Sequence, residues 1–342
     1  MRWRSVWAML VLAFLSAPCI AQGVLTINLP ANDLAYNAQT GMIYAAVPSF
    51  AGAPYGNSLV EISPDDGSIT RSVFVGSEPM TIGMSPDAAV AYVGLYGAPL
   101  VYPVDLTTMT TGTYFTMGNT MYTGPRYANQ IAVMAGAPGT VAVSTRDHGF
   151  SPSFTGLYIY DNGVARPTAD TSFTGGNTIA FGSQTSTLYG YTNETSDFTL
   201  ERLTVNASGV TIANSVEDAI YGYNVKMISR GDTLYATSGA LVDGTLLLRI
   251  GTYTLPGSGY AQAVVVDDAT STVVFAAFDQ IYAYDRTTFL PVKTTSGLPG
   301  GFFPTAATNC GRPACIAVAN YQAAPILVVS DVRDIFEDGF GD

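Results

Sequence analysis

Apolar positions in this chain alternate with period two, and the pattern recurs. Short runs of Val, Ile, Leu, Tyr and Ala are separated by turns rich in Gly, Pro, Asn and Asp, which predicts β-strands joined as hairpins. One strand is easily followed along the chain. It reads Met42-Ile43-Tyr44-Ala45, Val90-Ala91-Tyr92-Val93, Thr140-Val141-Ala142-Val143, Thr187-Leu188-Tyr189-Gly190, Thr233-Leu234-Tyr235-Ala236, Val273-Val274-Phe275-Ala276 and Cys315-Ile316-Ala317-Val318. The central positions, 44, 92, 142, 189, 235, 275 and 317, stand 40 to 50 residues apart. A strand precedes each copy, from 34–37 in the first to 305–308 in the last, and another follows, as at 59–62, 157–160 and 245–250. Turns such as Pro64-Asp65-Asp66-Gly67 and Asn206-Ala207-Ser208-Gly209 lead to a fourth. Four antiparallel strands at this period predict the blade of a β-propeller, and seven copies predict an all-β, seven-bladed ring. The last copy lacks a fourth strand. The segment Val24-Leu25-Thr26-Ile27-Asn28-Leu29 supplies a spare one, predicted to pair into that blade and close the ring.

Several strands are apolar on both faces, as at 263–266, which is expected of sheets covered by neighbours on either side. A composition of 48% hydrophobic and 12% charged residues agrees. A membrane barrel would alternate polar and apolar along each strand, and this chain does not. The tyrosine at the centre of the recurring strand would lie between blades, where its hydroxyl requires a partner.

The first residues change the compartment. Arg2 and Arg4 precede an apolar run from Val6 to Leu15, too short to span a bilayer, and Cys19-Ile20-Ala21 offers a small–x–small cleavage site. Residues 1–21 therefore read as a signal peptide, 22–330 as the propeller and 331–342 as an acidic and aromatic tail. Pro18 argues against lipidation at Cys19. Export to the periplasm, cell surface or medium follows, with a monomer expected and no span across a membrane. Cleavage takes the formal charge from −12 to −14, which disfavours nucleic acid and anionic membranes. In an oxidising compartment Cys310 and Cys315 are expected to form a local disulfide.

The second blade looks familiar. Pro79, Ile82, Ser85-Pro86-Asp87, Ala91-Tyr92-Val93-Gly94 and Val104-Asp105-Leu106 resemble the YVTN-type repeat of exported bacterial seven-bladed propellers. Blade one resembles it more loosely, through Leu34-Ala35-Tyr36-Asn37, Gly41, Ile43-Tyr44-Ala45 and Val60-Glu61-Ile62. The resemblance implies a seven-bladed ring and export. Such propellers include binding modules, surface proteins and enzymes, so it implies no single activity, and its residues serve packing and turns. The tail is similar to short Phe-Glu/Asp-Gly-Phe endings of some exported Gram-negative proteins, which implies sorting or docking.

Ligands of propellers gather at the mouth of the central channel. The long connections 47–57, 117–129, 144–156, 190–197 and 217–224 are the candidates to line it. His148 is the sole histidine, so imidazole acid–base chemistry falls to it, with Asp147 and Arg146 beside it as the remaining catalytic candidates. Arg126, Tyr127, Arg146, His148, Phe150, Tyr221 and Tyr223 combine aromatic rings with guanidinium groups, which suits a glycan, peptide or protein partner. Glu78 and Glu217 are the metal candidates, joined by Asp147, Asp218 and Asp267. A Ca²⁺ or Mg²⁺ site of carboxylates and carbonyls needs no histidine. No Gly-x-Ser-x-Gly elbow, Cys-x-x-Cys-His run or phosphate loop occurs. The sequence thus favours an exported binding or scaffold module without a cofactor over the alternative, a lactonase-like or lyase-like metal-dependent enzyme at the axial mouth. Three or more carboxylates converging on the axis would favour the enzyme; aromatics and Arg at the mouth would favour binding.

Overall fold

A computed structural model describes residues 23–120, 124–172, 175–257, 260–278, 280–299, 302–321 and 324–332. Residues 1–21, expected to be a signal peptide, and most of the tail lie outside them. The strands form seven antiparallel sheets. The first six begin at Asp33–Asn37, Pro79–Met84, Tyr127–Val133, Thr178–Phe181, Met227–Arg230 and Ala263–Asp267, each followed outward by later strands in chain order. The seventh contains Pro304–Asn309, Ile316–Asn320 and Ile326–Val329, and its outermost strand is Val24–Ile27. Val24 pairs with Val329 and Ile27 with Ile326, so the N-terminal strand covers the open edge and ties the two ends of the propeller together. The first strand of every sheet packs against the first strands of both neighbours, which makes these strands the wall of a central channel.

Period two explains the core. Along Met42–Val47, Ile43, Ala45 and Val47 pack toward blade seven, whereas Tyr44 and Ala46 pack toward blade two. Along Ala263–Asp267, Val265 faces blade seven while Val264 and Val266 face blade five. Each interface between neighbouring blades thereby has its own apolar cluster. The sheets approach closely where side chains are small; a Cβ added to Gly83 would stand 2.6 Å from Ile131 Cγ2 of the next blade.

Polar groups lace the blades together. Tyr92 and Tyr189, both central in their strands, donate to Pro138 O (2.9 Å) and Asp232 Oδ1 (2.8 Å) of the following blade. Arginines reach across the outer parts of the ring. Arg166 donates to Asn206 O at 2.7 Å, Arg202 to Thr245 O at 2.7 Å and Arg249 to Ala219 O at 2.8 Å.

Blade five departs from the sequence expectation. Its third strand is Ala240–Asp243, not 245–250, and Leu248–Thr252 is the fourth. The cause is an aspartate-capped turn: Asp243 Oδ1 accepts Thr245 N (2.8 Å) and Leu246 N (3.0 Å). Asp105 and Asp285 cap the equivalent turns of blades two and six through the amides of Thr107 and Thr108 and of Thr287 and Thr288.

Cys310 and Cys315 form a disulfide across the hairpin turn of blade seven, with both residues buried. Replacing both with Ala is expected to cost about 2 kcal/mol in urea unfolding, the loop-closure entropy of so short a ring. An unchanged unfolding midpoint would show that packing alone holds the turn.

Candidate functional site

Antiparallel alternation sends the connections from second to third strand, and from blade to blade, to one end of the ring. That end carries the long loops. On it, exposed aromatic rings gather at three junctions between blades.

At the first, His148 lies between two tyrosines. Tyr96 comes from the blade-two loop and Tyr127 begins the innermost strand of blade three. Their ring centroids stand 4.1 and 3.7 Å from that of His148, with interplanar angles of 24° and 18°. Arg146 closes the group, its guanidinium 5.8 Å from the Tyr96 centroid. Pairing of Tyr127 with Arg146 across the hairpin brings the two ends of this cluster together. Partial burial and the Arg146 charge lower the His148 pKa, against the pull of Asp147. The imidazole is therefore a neutral stacking surface at neutral pH. Asp147 is buried and accepts Gly149 N at 2.7 Å, which holds the loop turn.

Arg146 stands apart from the other arginines. Among the described residues its guanidinium has no hydrogen bond or ion pair, and its Nε is buried without an acceptor. The lacing arginines spend their donors on neighbouring carbonyls and carboxylates. A free guanidinium beside stacked rings is a ready site for an anionic group.

At the second junction, Tyr221 and Tyr223 stand edge-on to Phe198, with centroids 4.5 and 5.0 Å away. At the third, Phe303 contacts Phe278 (4.3 Å) and Tyr321 (5.5 Å). All of these except Phe198 are substantially exposed.

The structure brings Tyr127, Arg146, Asp147 and His148 into one group and Tyr221 and Tyr223 into another. Arg126, just before the strand that Tyr127 begins, points elsewhere. Its guanidinium lies 5.0 Å from the Tyr158 centroid and donates to Met117 O at 3.4 Å. Phe150 is exposed on the loop after His148.

The metal candidates do not converge. Glu78 hydrogen-bonds the Ser49 hydroxyl and amide, pinning the blade-one loop. Glu217 ends the outermost strand of blade four. Asp267 caps the following turn through Ala269 N (3.0 Å) and accepts Ala314 N (2.8 Å). Among the described residues no group of three or more His, Cys, Asp or Glu is placed to hold a metal.

Three features escaped the sequence reading. Glu194 accepts Ser153 N (2.6 Å) and Phe154 N (3.2 Å), holding the His148 loop to blade four as Glu78 holds that of blade one. Phe278 and Tyr321 fall on turns too short to attract notice. Lys226 and Asp33 occupy the channel itself. Lys226, just before the blade-five inner strand, donates from Nζ to Thr305 O of blade seven at 2.6 Å. Asp33, at the start of the blade-one inner strand, accepts Ile82 N at 2.8 Å and Leu34 N at 2.9 Å. Burial raises the Asp33 pKa to about 6, although the Ile82 amide, the Lys226 charge and the Leu34 amide pull it down. Burial lowers that of Lys226, against the charge of Asp33.

No family model matches the chain, and no curated protein does. Among solved structures, the chain is similar to one titled Kuenenia stuttgartiensis hydrazine synthase, at a TM-score of 0.64 and 12% identity, covering 90% of this chain and 98% of the other. That likeness concerns the fold alone. No helix among the described residues is long and apolar enough to cross a membrane.

Proposed function

We propose that this chain is an exported binding module whose loop-rich face holds an acid-bearing glycan, peptide or protein segment. The observation that carries the reading is the Tyr96–His148–Tyr127 stack with the unpaired Arg146 beside it. Stacked rings offer apolar area that loses little conformational entropy on binding, and a free guanidinium takes a carboxylate or sulfate in two parallel hydrogen bonds. The aromatic groups at the other two junctions extend the surface around the ring, as an elongated partner would require. Export rests on residues 1–21, and the YVTN-like residues of blades one and two are in keeping with it.

The test is a panel of immobilised uronate-containing and neutral glycans with matched acidic and neutral peptides, probed with the chain from Gln22. Acidic members are expected to bind, and Arg146→Ala or Tyr127→Ala to weaken binding about tenfold or more, as loss of a central aromatic or Arg contact does. Circular dichroism should be unchanged. Binding indifferent to both substitutions, or confined to neutral members, would overturn the reading.

A further inference from the structure

The exposed rings are not spread evenly over the molecule. Among the described residues, the turns from first to second strand and from third to fourth expose no aromatic ring; Phe289, which lies on one of them, packs against Tyr253 at 5.1 Å. All three aromatic clusters lie at the opposite end, where blades two and three, four and five, and six and seven meet. Tyr260, from the connection between blades five and six, enlarges the second cluster, since a Cβ on Gly222 would stand 3.0 Å from its ring. Polar ground separates the clusters. Between the first and second, the Ser153 hydroxyl donates to Glu194 Oε1 at 2.6 Å. Between the second and third, Thr254 and Gly257 are exposed. The rings therefore form separate platforms, not one continuous apolar patch.

Charge distinguishes the platforms. Arg146 is the one guanidinium that stands over an exposed ring among the described residues. Arg126 and Arg286 stand over Tyr158 and Tyr235, which pack in the clusters between blades. At the second platform carboxylates prevail. Burial, then Tyr260 and the charges of Asp218 and Asp197, raise the Tyr191 pKa, and the Tyr191 hydroxyl donates to Gly222 O at 3.0 Å beneath the rings. Arg249 offers no counterweight, because it donates to Ala219 O and Asp218 O, both at 2.8 Å. We propose that this face binds a polysaccharide whose carboxylate-bearing sugars are separated by neutral ones, with an acidic sugar at Arg146 and neutral sugars on the other two platforms. The proposal rests on the binding face inferred above and narrows its partner. A sugar ring lays a C–H face on tyrosine or phenylalanine and keeps its hydroxyls in water, so a glycan can step between platforms across polar ground. A folded protein partner needs a continuous core from which water is excluded. A uniform polyanion meets the carboxylates of the second platform and a formal charge of −12. Occupying several weak platforms with one chain raises affinity through effective concentration, so binding depends on chain length.

The probe is gellan, whose repeat holds one uronate among neutral sugars, titrated by calorimetry into the chain from Gln22 as single-repeat and as long fragments. The single repeat is expected to bind weakly and to lose that binding in Arg146→Ala, which tests the binding face itself. Long fragments are expected to bind about a hundredfold more tightly, as linked weak contacts do. Tyr221→Ala combined with Tyr223→Ala, and separately Phe303→Ala, should bring the long fragment down toward the single repeat, with circular dichroism unchanged. Equal affinity of short and long fragments, or a length advantage that survives these substitutions, would overturn the proposal and leave the Arg146-dependent face standing. Polygalacturonate binding more tightly than gellan of equal length would refute the spacing of charge. Acidic peptides that bind where no gellan fragment does would refute the glycan.

Discussion

Glu201→Gln is expected to stabilise the protein at pH 9 by about 4 kcal/mol and to flatten its stability between pH 5 and pH 9. The magnitude follows from a shift of more than three pKa units at about 1.4 kcal/mol each. Glu201 lies on the third strand of blade four and is 2% exposed, sealed beneath Gly175. Asp170, 7% exposed, enters the same pocket from the connection between blades three and four. Burial first, then the charges of Asp170 and Asp197 and a hydrogen bond with Asp170, raise the Glu201 pKa to about 8. Apart from the proton they share, Glu201 Oε2 and Asp170 Oδ2 are buried without a hydrogen-bond partner, and among the described residues no cation pairs with either.

The direction of the effect is set by the proton. In the folded protein Glu201 keeps its proton to about pH 8, whereas in the unfolded chain it loses it near 4.5. The folded state therefore binds more protons between those values, and stability present below pH 4.5 is lost as pH rises toward and through 8. Glutamine keeps the donor toward Asp170 and has no proton to lose. Urea unfolding of both proteins at pH 5, 7 and 9 reads the difference. A parent protein as stable at pH 9 as at pH 5 would refute the shared-proton account. Glu201→Ala, which removes the donor, should be less stable than Glu201→Gln at every pH.

The repeat made the ring legible because one physical constraint acts on every blade. A sheet covered on both faces needs apolar residues at consecutive positions, and 43–47 and 263–266 display this openly. The closing strand was legible for a related reason, since Val24–Ile27 is an apolar strand without a hairpin partner of its own. Blade five misled because Thr245–Ile250 carries strand-forming residues, while the turn depends on one carboxylate, Asp243, capping two amides. The repeated aspartate two residues before Thr107, Thr245 and Thr287 was the signal that would have located it. The site was less legible. His148, Arg146 and Tyr127 stood out by residue type, but their stacking with Tyr96 joins two blades. Arg126 was grouped with Tyr127 by adjacency, but its guanidinium turns to Tyr158 and Met117 O instead. Lys226 meets Thr305 across the ring, 79 positions along the chain. Only closure of the propeller creates that encounter, although the scarcity of lysine marked the residue.

Arg71→Ala should cost about 3 kcal/mol at neutral pH, because it leaves Glu61 buried and without its cation. Glu61 is central to blade one, where it accepts from Tyr44, Arg71 and, at 2.6 Å, the Thr70 hydroxyl. Burial works to raise its pKa, but the hydrogen bonds from Arg71, Thr70 and Tyr44 and the Arg71 charge prevail and hold it at about 2. A depressed folded pKa means that the stabilisation is present above the unfolded value of 4.5 and disappears as pH falls toward 2. The variant should respond differently: without Arg71 the buried carboxyl takes up a proton in mild acid, so the gap to the parent narrows below about pH 5. Arg71 also donates to Leu106 O and Thr107 O of blade two, both at 2.9 Å, and that part of the loss does not depend on pH. Adding Glu61→Gln to Arg71→Ala separates the two contributions. The double variant should recover the share due to the stranded carboxylate and keep the deficit due to the lost clamp between blades. If it recovers nothing, the carboxylate was never the source of the loss, and Arg71 acts on blade two alone.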